Sequence, residues 1–419
     1  MRSRWFALEV LSLVSFLFCV LALADDIPKN VSFSTRALLP FAIEGLTMDA
    51  TGNFYTTGRQ TDTTKKCPVW RISPNGSTPV TVGFIPNQGT TATSTPCNPS
   101  GITFDSVGNL YIADAATING VSGFIWKVVP NPTGCDESVS SACSPSVAFA
   151  SGVPGTNGLA FDRDDNLWTG DGVTGLGRVW KIGPGGGACE GSFTNCVEAF
   201  RIQAMANDRD PTVTGGVANV GSDRHSLPPE TINSARMATN NLGSQPLVAN
   251  GVAFNKEGDL FVADTARGAI WKVEIDKKGK IKSQMKCDST FTDNTLCLDN
   301  VFVSHPYLEG VDGIALDEKG NIWADANERN AVVVVSKNGE VTEVFRNPVQ
   351  SGLRNSGPLE FPTSPFLLGK QFCTAMSDNN RRDNSPNSAG EINSSGPFRG
   401  KISCMDQELK VPGLKLPVH

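Results

Sequence analysis

Histidine and tyrosine are nearly missing from these 419 residues, with three of each, and charged side chains make up only 19%. No basic run and no basic–aromatic patch occurs, so no nucleic-acid partner is expected. No CxxC pair and no Cys/His spacing suited to zinc is present. Beyond the first two dozen residues no apolar run is long enough for a transmembrane helix. No long 3.6-residue period survives there either, so helices are expected to be essentially absent. The 39% hydrophobic content suits a globular protein and excludes a disordered one.

The first 24 residues read as a secretory signal. Arg2 and Arg4 precede an apolar run from Leu11 to Leu23, and Ala22-Leu23-Ala24 has the small-x-small form of a cleavage site. Glu9 is awkward there and leaves a signal anchor open. Cleavage after Ala24 would take the formal charge from −6 to −6 − 2 + 1 = −7. The destination would be extracellular, or periplasmic in a bacterium. Cys19 leaves with the signal, and ten cysteines remain: Cys67, Cys97, Cys135, Cys143, Cys189, Cys196, Cys287, Cys297, Cys373 and Cys404. An even count in a secreted chain points to disulfides. Pairing of neighbours is the simplest expectation for 135/143, 189/196 and 287/297, each of which follows a Trp-Lys strand. Sequons at Asn30, Asn75 and Asn393 would be surface glycosylation sites in a eukaryote.

What the chain has in abundance is repetition. The phrase Gly45-Leu-Thr-Met-Asp-Ala-Thr-Gly-Asn-Phe-Tyr returns from Gly101, Gly158, Gly251 and Gly313 with the same pattern. Each copy is a short apolar strand, an Asp/Asn/Gly turn and a second strand reaching an aromatic. A third strand follows, such as Ile125-Trp-Lys-Val, and then a fourth, such as Val301-Phe-Val-Ser. Four antiparallel strands per repeat make a propeller blade. A degenerate sixth copy runs from Phe361 to Cys373, with Gly400 to Cys404 as its third strand. Val31 to Leu39 can supply its missing fourth strand and close the ring. The expected fold is all-β: one six-bladed propeller over residues 25–419. The copies are 56, 57, 93 and 62 residues apart. The long interval holds Arg201 to Pro246, which lacks periodicity and reads as an inserted loop. Asn379 to Pro397 reads as a polar loop in the last blade.

The residue before each first glycine is Glu44, Ser100, Asn157, Asn250 or Asp312, and every one carries a side-chain oxygen. The first strand of a propeller blade lines the central channel, so these residues would gather around one mouth. An Asn-Gly on its own is more often a turn than a ligand. Four such groups in one column of a repeat are much harder to produce by accident. Glu44, Asn157, Asn250 and Asp312 form an oxygen-only set suited to Ca²⁺, with other divalent cations less well matched. Asp and Asn inside the hairpins, such as Asp49 and Asn53, read as turn formers. Asp114, Asp264 and Asp325 end second strands and return to the same mouth, where they would either support the ligands from behind or cap backbone amides.

The series Ile43-Glu44-Gly45, Thr156-Asn157-Gly158, Ala249-Asn250-Gly251 and Val311-Asp312-Gly313 resembles the senescence marker protein/gluconolactonase family. That family includes regucalcin and the related diisopropyl fluorophosphatase, six-bladed calcium propellers. The resemblance spans about Phe41 to Asp406. It implies that Glu44, Asn157, Asn250 and Asp312 hold the metal and that Asp312 is also the general base or nucleophile. The second-blade position is Ser100 and the sixth is Thr363-Ser364, so substrate contacts do not carry over there. His225, His305 and His419 all lie outside the column.

A secreted calcium-dependent hydrolase of a lactone or related ester follows, acting as a monomer on a small molecule with no membrane span in the mature chain. One alternative is a non-catalytic extracellular propeller that uses calcium structurally as an interaction platform. Another is a condensing propeller like strictosidine synthase without catalytic metal, against which the intact ligand series speaks.

Overall fold

The computed structural model describes residues 27–415 apart from 61, 63–64, 77, 87–95, 119, 137–142, 173, 175, 190–194, 203–248, 288, 290, 348–356 and 378–399. The expected signal segment, Asn393, His225, His419, most of the expected insertion and all of the expected loop from Asn379 to Pro397 lie outside the described residues.

Six antiparallel sheets form the blades of a propeller. Blade one is Thr47–Met48, Phe54–Thr57, Cys67–Ile72 and Val80–Ile85. The innermost strands of the next four blades are Pro99–Phe104, Thr156–Phe161, Ala249–Phe254 and Val311–Leu316. In blade six, Pro362–Leu368, Gln371–Met376 and Lys401–Met405 are joined by Phe33–Leu38, which pairs antiparallel with Lys401–Met405. The N-terminal strand therefore closes the ring and leaves no open edge between first and last blades. Blade two carries an unforeseen fifth strand, Gly187–Ala188, which leaves blade three to pair in parallel with Val147–Ser151. The only helical turns among the described residues are three short 3₁₀ segments.

Alternation along each strand sends side chains to the two neighbouring blades, so the core is a series of wedges between sheets. One wedge joins Trp168, Phe200, Phe254 and Trp271; another joins Ile270, Ile314, Ile322 and Val333. All five described disulfides are formed: Cys67–Cys97, Cys135–Cys143, Cys189–Cys196, Cys287–Cys297 and Cys373–Cys404. The three expected neighbour pairs are among them. Cys67–Cys97 ties blade one to the approach of blade two.

Four inner hairpins are held by one recurring set of bonds, and a fifth by a variant of it. Asp49 Oδ1 accepts from the backbone N–H groups of Thr51 and Asn53, at 2.9 and 3.0 Å. Asp105, Asp162 and Asp317 do the same for their own turns, and Asn255 accepts from Gly258 and Asp259. The second carboxylate oxygen explains the aromatic that ends the phrase: Tyr55, Trp168 and Trp323 each donate to their blade's hairpin aspartate. These acids are turn formers, as their position suggested.

Beneath the mouth the inner strands enclose a cavity of about 90 Å³. Leu46, Ile102, Leu159, Val252 and Ile314 give it an apolar wall. Leu414 also lines it, at the hairpin end. The C-terminal tail is stitched there by Leu414 N–H to Leu316 O at 2.9 Å and Gly413 N–H to Gly369 O at 2.7 Å.

Candidate metal and catalytic site

The first glycine of each repeat is demanded by space, since none of these five has a positive φ. A Cβ on Gly158 would fall 2.7 Å from Asn250 O and 2.8 Å from the Gly251 Cα. A Cβ on Gly251 would run into Asp312 O and lie 2.8 Å from the Gly313 Cα. Gly45 abuts Ser100 O, Gly101 abuts Asn157 O, and Gly313 abuts Thr363 O. Thr363 Oγ1 donates to Glu44 O at 2.8 Å and completes the circle. The backbones of Glu44, Ser100, Asn157, Asn250, Asp312 and Thr363 therefore form one closed ring, although they are spread over some three hundred residues of sequence. All six are buried. Ser364 follows Thr363 at the place of the glycine and lines the cavity.

A second column, which sequence reading missed, supports the first. Arg59, Ala115, Gly172, Thr265 and Asn327 each stand fifteen residues after their blade's column residue, just past the second strand except for Ala115, which lies within Leu110–Ile118. Asn327 Nδ2 donates to Asp312 Oδ2 at 2.9 Å. Asn250 Nδ2 donates to Thr265 Oγ1 at 3.0 Å, and Thr265 in turn donates to Val311 O at 2.6 Å. Gly172 lies so close to Asn157 that a Cβ would meet Asn157 Nδ2 at 2.6 Å. In blade one the Arg59 guanidinium is ion-paired with Glu44. The constant spacing of fifteen was readable in the repeat, but four of the five residues are neutral and draw no attention alone.

The acids that close second strands divide into two kinds. Asp114 accepts from Asn98 N, Ala116 N and Trp126 Nε1, and Asp264 from Arg267 and Trp271 Nε1. They cap their own turns and anchor the tryptophan of the third strand. Burial nevertheless pushes the Asp114 carboxyl up, against those hydrogen bonds and the Arg59 charge. Asp325 sits one residue earlier in register: Ala249 pairs with Asp264, whereas Val311 pairs with Ala326. Its side chain meets the next blade, where Thr374 Oγ1 donates to Oδ2 at 2.5 Å. Asp325 Oδ1 has no partner among the described residues. Burial, helped by the nearby Asp312 charge, pushes this carboxyl well above the ordinary range. His305 accepts from Tyr307 N–H through Nδ1 at 3.1 Å.

The donor set fits an oxygen-seeking divalent cation. Asn250 Oδ1 is buried and lacks a hydrogen-bond partner among the described residues, while its amide nitrogen is tied to Thr265. A buried carbonyl oxygen left in that state calls for an ion or water. No group of three His, Cys, Asp or Glu gathers among the described residues. The ring instead mixes two carboxylates with two amides, which matches calcium chemistry.

The family model for the SMP-30/gluconolactonase/LRE-like region matches residues 206–353. Among solved structures, the PQQ-bound aldose sugar dehydrogenase from Streptomyces coelicolor is 13% identical, covers 91% of this chain and 100% of its own, and superposes with a TM-score of 0.51. A luciferin-regenerating enzyme is 13% identical, covers 92% and 98%, and also scores 0.51. A calcium-binding regucalcin from Agrobacterium tumefaciens is 14% identical over 91% and 96%, at 0.48. No curated protein matches. At these identities the likeness to solved structures is one of fold. The match to the SMP-30/gluconolactonase/LRE-like region is confined to residues 206–353, about a third of the chain, and it stands beside a six-bladed architecture.

Proposed function

We propose that the protein is a secreted, calcium-dependent hydrolase of a lactone or related ester. The observation that carries this reading is the closed ring bearing Glu44, Asn157, Asn250 and Asp312, with the unpartnered Asn250 oxygen in it. The family match over residues 206–353 supports a lactonase-type hydrolase. Five disulfides agree with an extracellular setting, and no described helix is long and apolar enough to cross a membrane.

Glu44, Asn157, Asn250 and Asp312 would hold the cation, which when bound supplies Lewis-acid polarisation of the ester carbonyl and stabilises developing negative charge. Thr265 fixes the Asn250 amide with its nitrogen held back, so that the oxygen is the atom left to coordinate. Asp312 takes the proton of the attacking water at its carboxylate or attacks the carbonyl itself. Asn327, donating to Oδ2, fixes the plane of that carboxylate for either role. The apolar cavity wall beneath lowers the local dielectric, which strengthens each of these electrostatic effects.

Lactone hydrolysis by the purified protein, with and without EDTA and with Asp312→Asn, tests the proposal. Activity that falls at least about a hundredfold in both cases is the expected result. Full activity in both would overturn it.

A further inference from the structure

The second column treats blade one differently from its neighbours. Thr265 and Asn327 offer neutral hydrogen bonds to their column residues, and Ala115 and Gly172 offer none that is charged. Only Arg59 brings a full positive charge, and it places that charge on a member of the oxygen ring. The arginine is well seated. Its backbone N–H donates to Ala42 O at 2.8 Å and its Nε to Pro99 O at 3.1 Å. The Glu44 side chain is only 10% exposed, whereas that of Arg59 is 21% exposed and has a path to solvent.

A carboxylate this covered is costly without a counter-charge. Arg59 supplies one when no ion is bound. A divalent cation that coordinates Glu44 supplies a better one, and then finds a guanidinium as a like charge at close range. The two cations therefore act against each other through the same carboxylate. From the Glu44–Arg59 pair, and resting on the cation reading above, we infer that Arg59 is a tethered counter-ion that competes with the divalent cation for Glu44. It holds the ring together in the ion-free protein and lowers the site's affinity for the ion, so that uptake requires Arg59 to move off or share the carboxylate. Arg59 is on this account a positioning residue, with no part in bond making.

Calorimetric titration of wild type, Arg59→Met and Arg59→Lys with calcium chloride tests this, together with thermal unfolding in EDTA and in saturating calcium. Methionine keeps much of the stem and removes the charge. The expected result is calcium binding at least about tenfold tighter in Arg59→Met and within about threefold of wild type in Arg59→Lys. The stability order also reverses: Arg59→Met is the less stable protein in EDTA but not in calcium, which a merely structural arginine would not produce. Equal or weaker binding by Arg59→Met overturns the competition while leaving the cation reading intact. No calcium uptake by any of the three, with unfolding unchanged between EDTA and calcium, contradicts the cation reading itself.

Discussion

The two ends of the inner strands are built from the same repeat and behave in opposite ways. At the hairpin end, Asp49, Asp105, Asp162 and Asp317 make the same pair of bonds to the same two backbone N–H groups. At the mouth end, the matching positions hold Glu44, Ser100, Asn157, Asn250 and Asp312, and no two blades give their column residue the same partner. Constancy at one end stabilises the backbone. Variation at the other, on a frame that the glycine ring keeps fixed, is where chemistry can be placed.

Glycine makes the sharpest test of this contrast, because it recurs at both ends for different reasons. Gly251→Ala would force Cβ against Asp312 O and the Gly313 Cα and should cost about 3 kcal/mol in urea unfolding. Gly108 sits in a hairpin at φ 88° with nothing within 4 Å of a built Cβ, so Gly108→Ala should cost only about 1 kcal/mol, the left-handed penalty alone. Similar losses at both would erase the distinction.

The buried carboxyl at the mouth end gives a pH signature. Asp325 has a folded pKa raised above its unfolded value, so its contribution is full below about pH 4 and is lost as pH rises through the folded pKa. Asp325→Asn keeps an acceptor for Thr374 and cannot ionise. The variant should gain stability over wild type as pH climbs from 4 to 8, followed by thermal unfolding in EDTA. A gap that does not change with pH would show that burial does not raise the Asp325 pKa in the folded protein.

Asp105→Ala removes the hairpin bonds from Val107 N–H and Asn109 N–H and should cost about 1 kcal/mol without changing lactone turnover. A loss of turnover there would mean that the hairpin end is not merely structural. The smallest effect concerns Asp165, which adopts φ 58° where Gly52, Gly108, Gly258 and Gly320 stand in other blades. Asp165→Gly should raise stability by about 0.5 kcal/mol, read from the urea midpoint.

The fold was legible in the chain because its signals are local and repeated. Strand alternation, the Asp/Gly turns and even the closing role of Phe33–Leu38 follow from short stretches read in order. The column of Glu44, Asn157, Asn250 and Asp312 was legible for the same reason. What escaped notice depends on register and on neighbours distant in sequence. The parallel strand Gly187–Ala188 is two residues long and takes its partner from another blade. The one-residue offset of Asp325 turns its side chain toward Thr374, an arrangement that Asp114 and Asp264 gave no reason to suspect. The Cys67–Cys97 and Cys373–Cys404 links join cysteines about thirty residues apart, the first brought together by the packing of one blade on the next and the second by the pairing of two strands.

The central claim is that the varied column binds a divalent cation in the native state. A ligand held only by the folded protein raises its stability with the logarithm of concentration. Thermal unfolding of wild type and Asn250→Ala across a calcium titration therefore tests it most directly, since Asn250 Oδ1 is the buried oxygen left without a partner. The account predicts a midpoint that climbs with calcium in wild type and a flat or much shallower line in the variant. Parallel lines, or a wild-type midpoint indifferent to calcium, would contradict it.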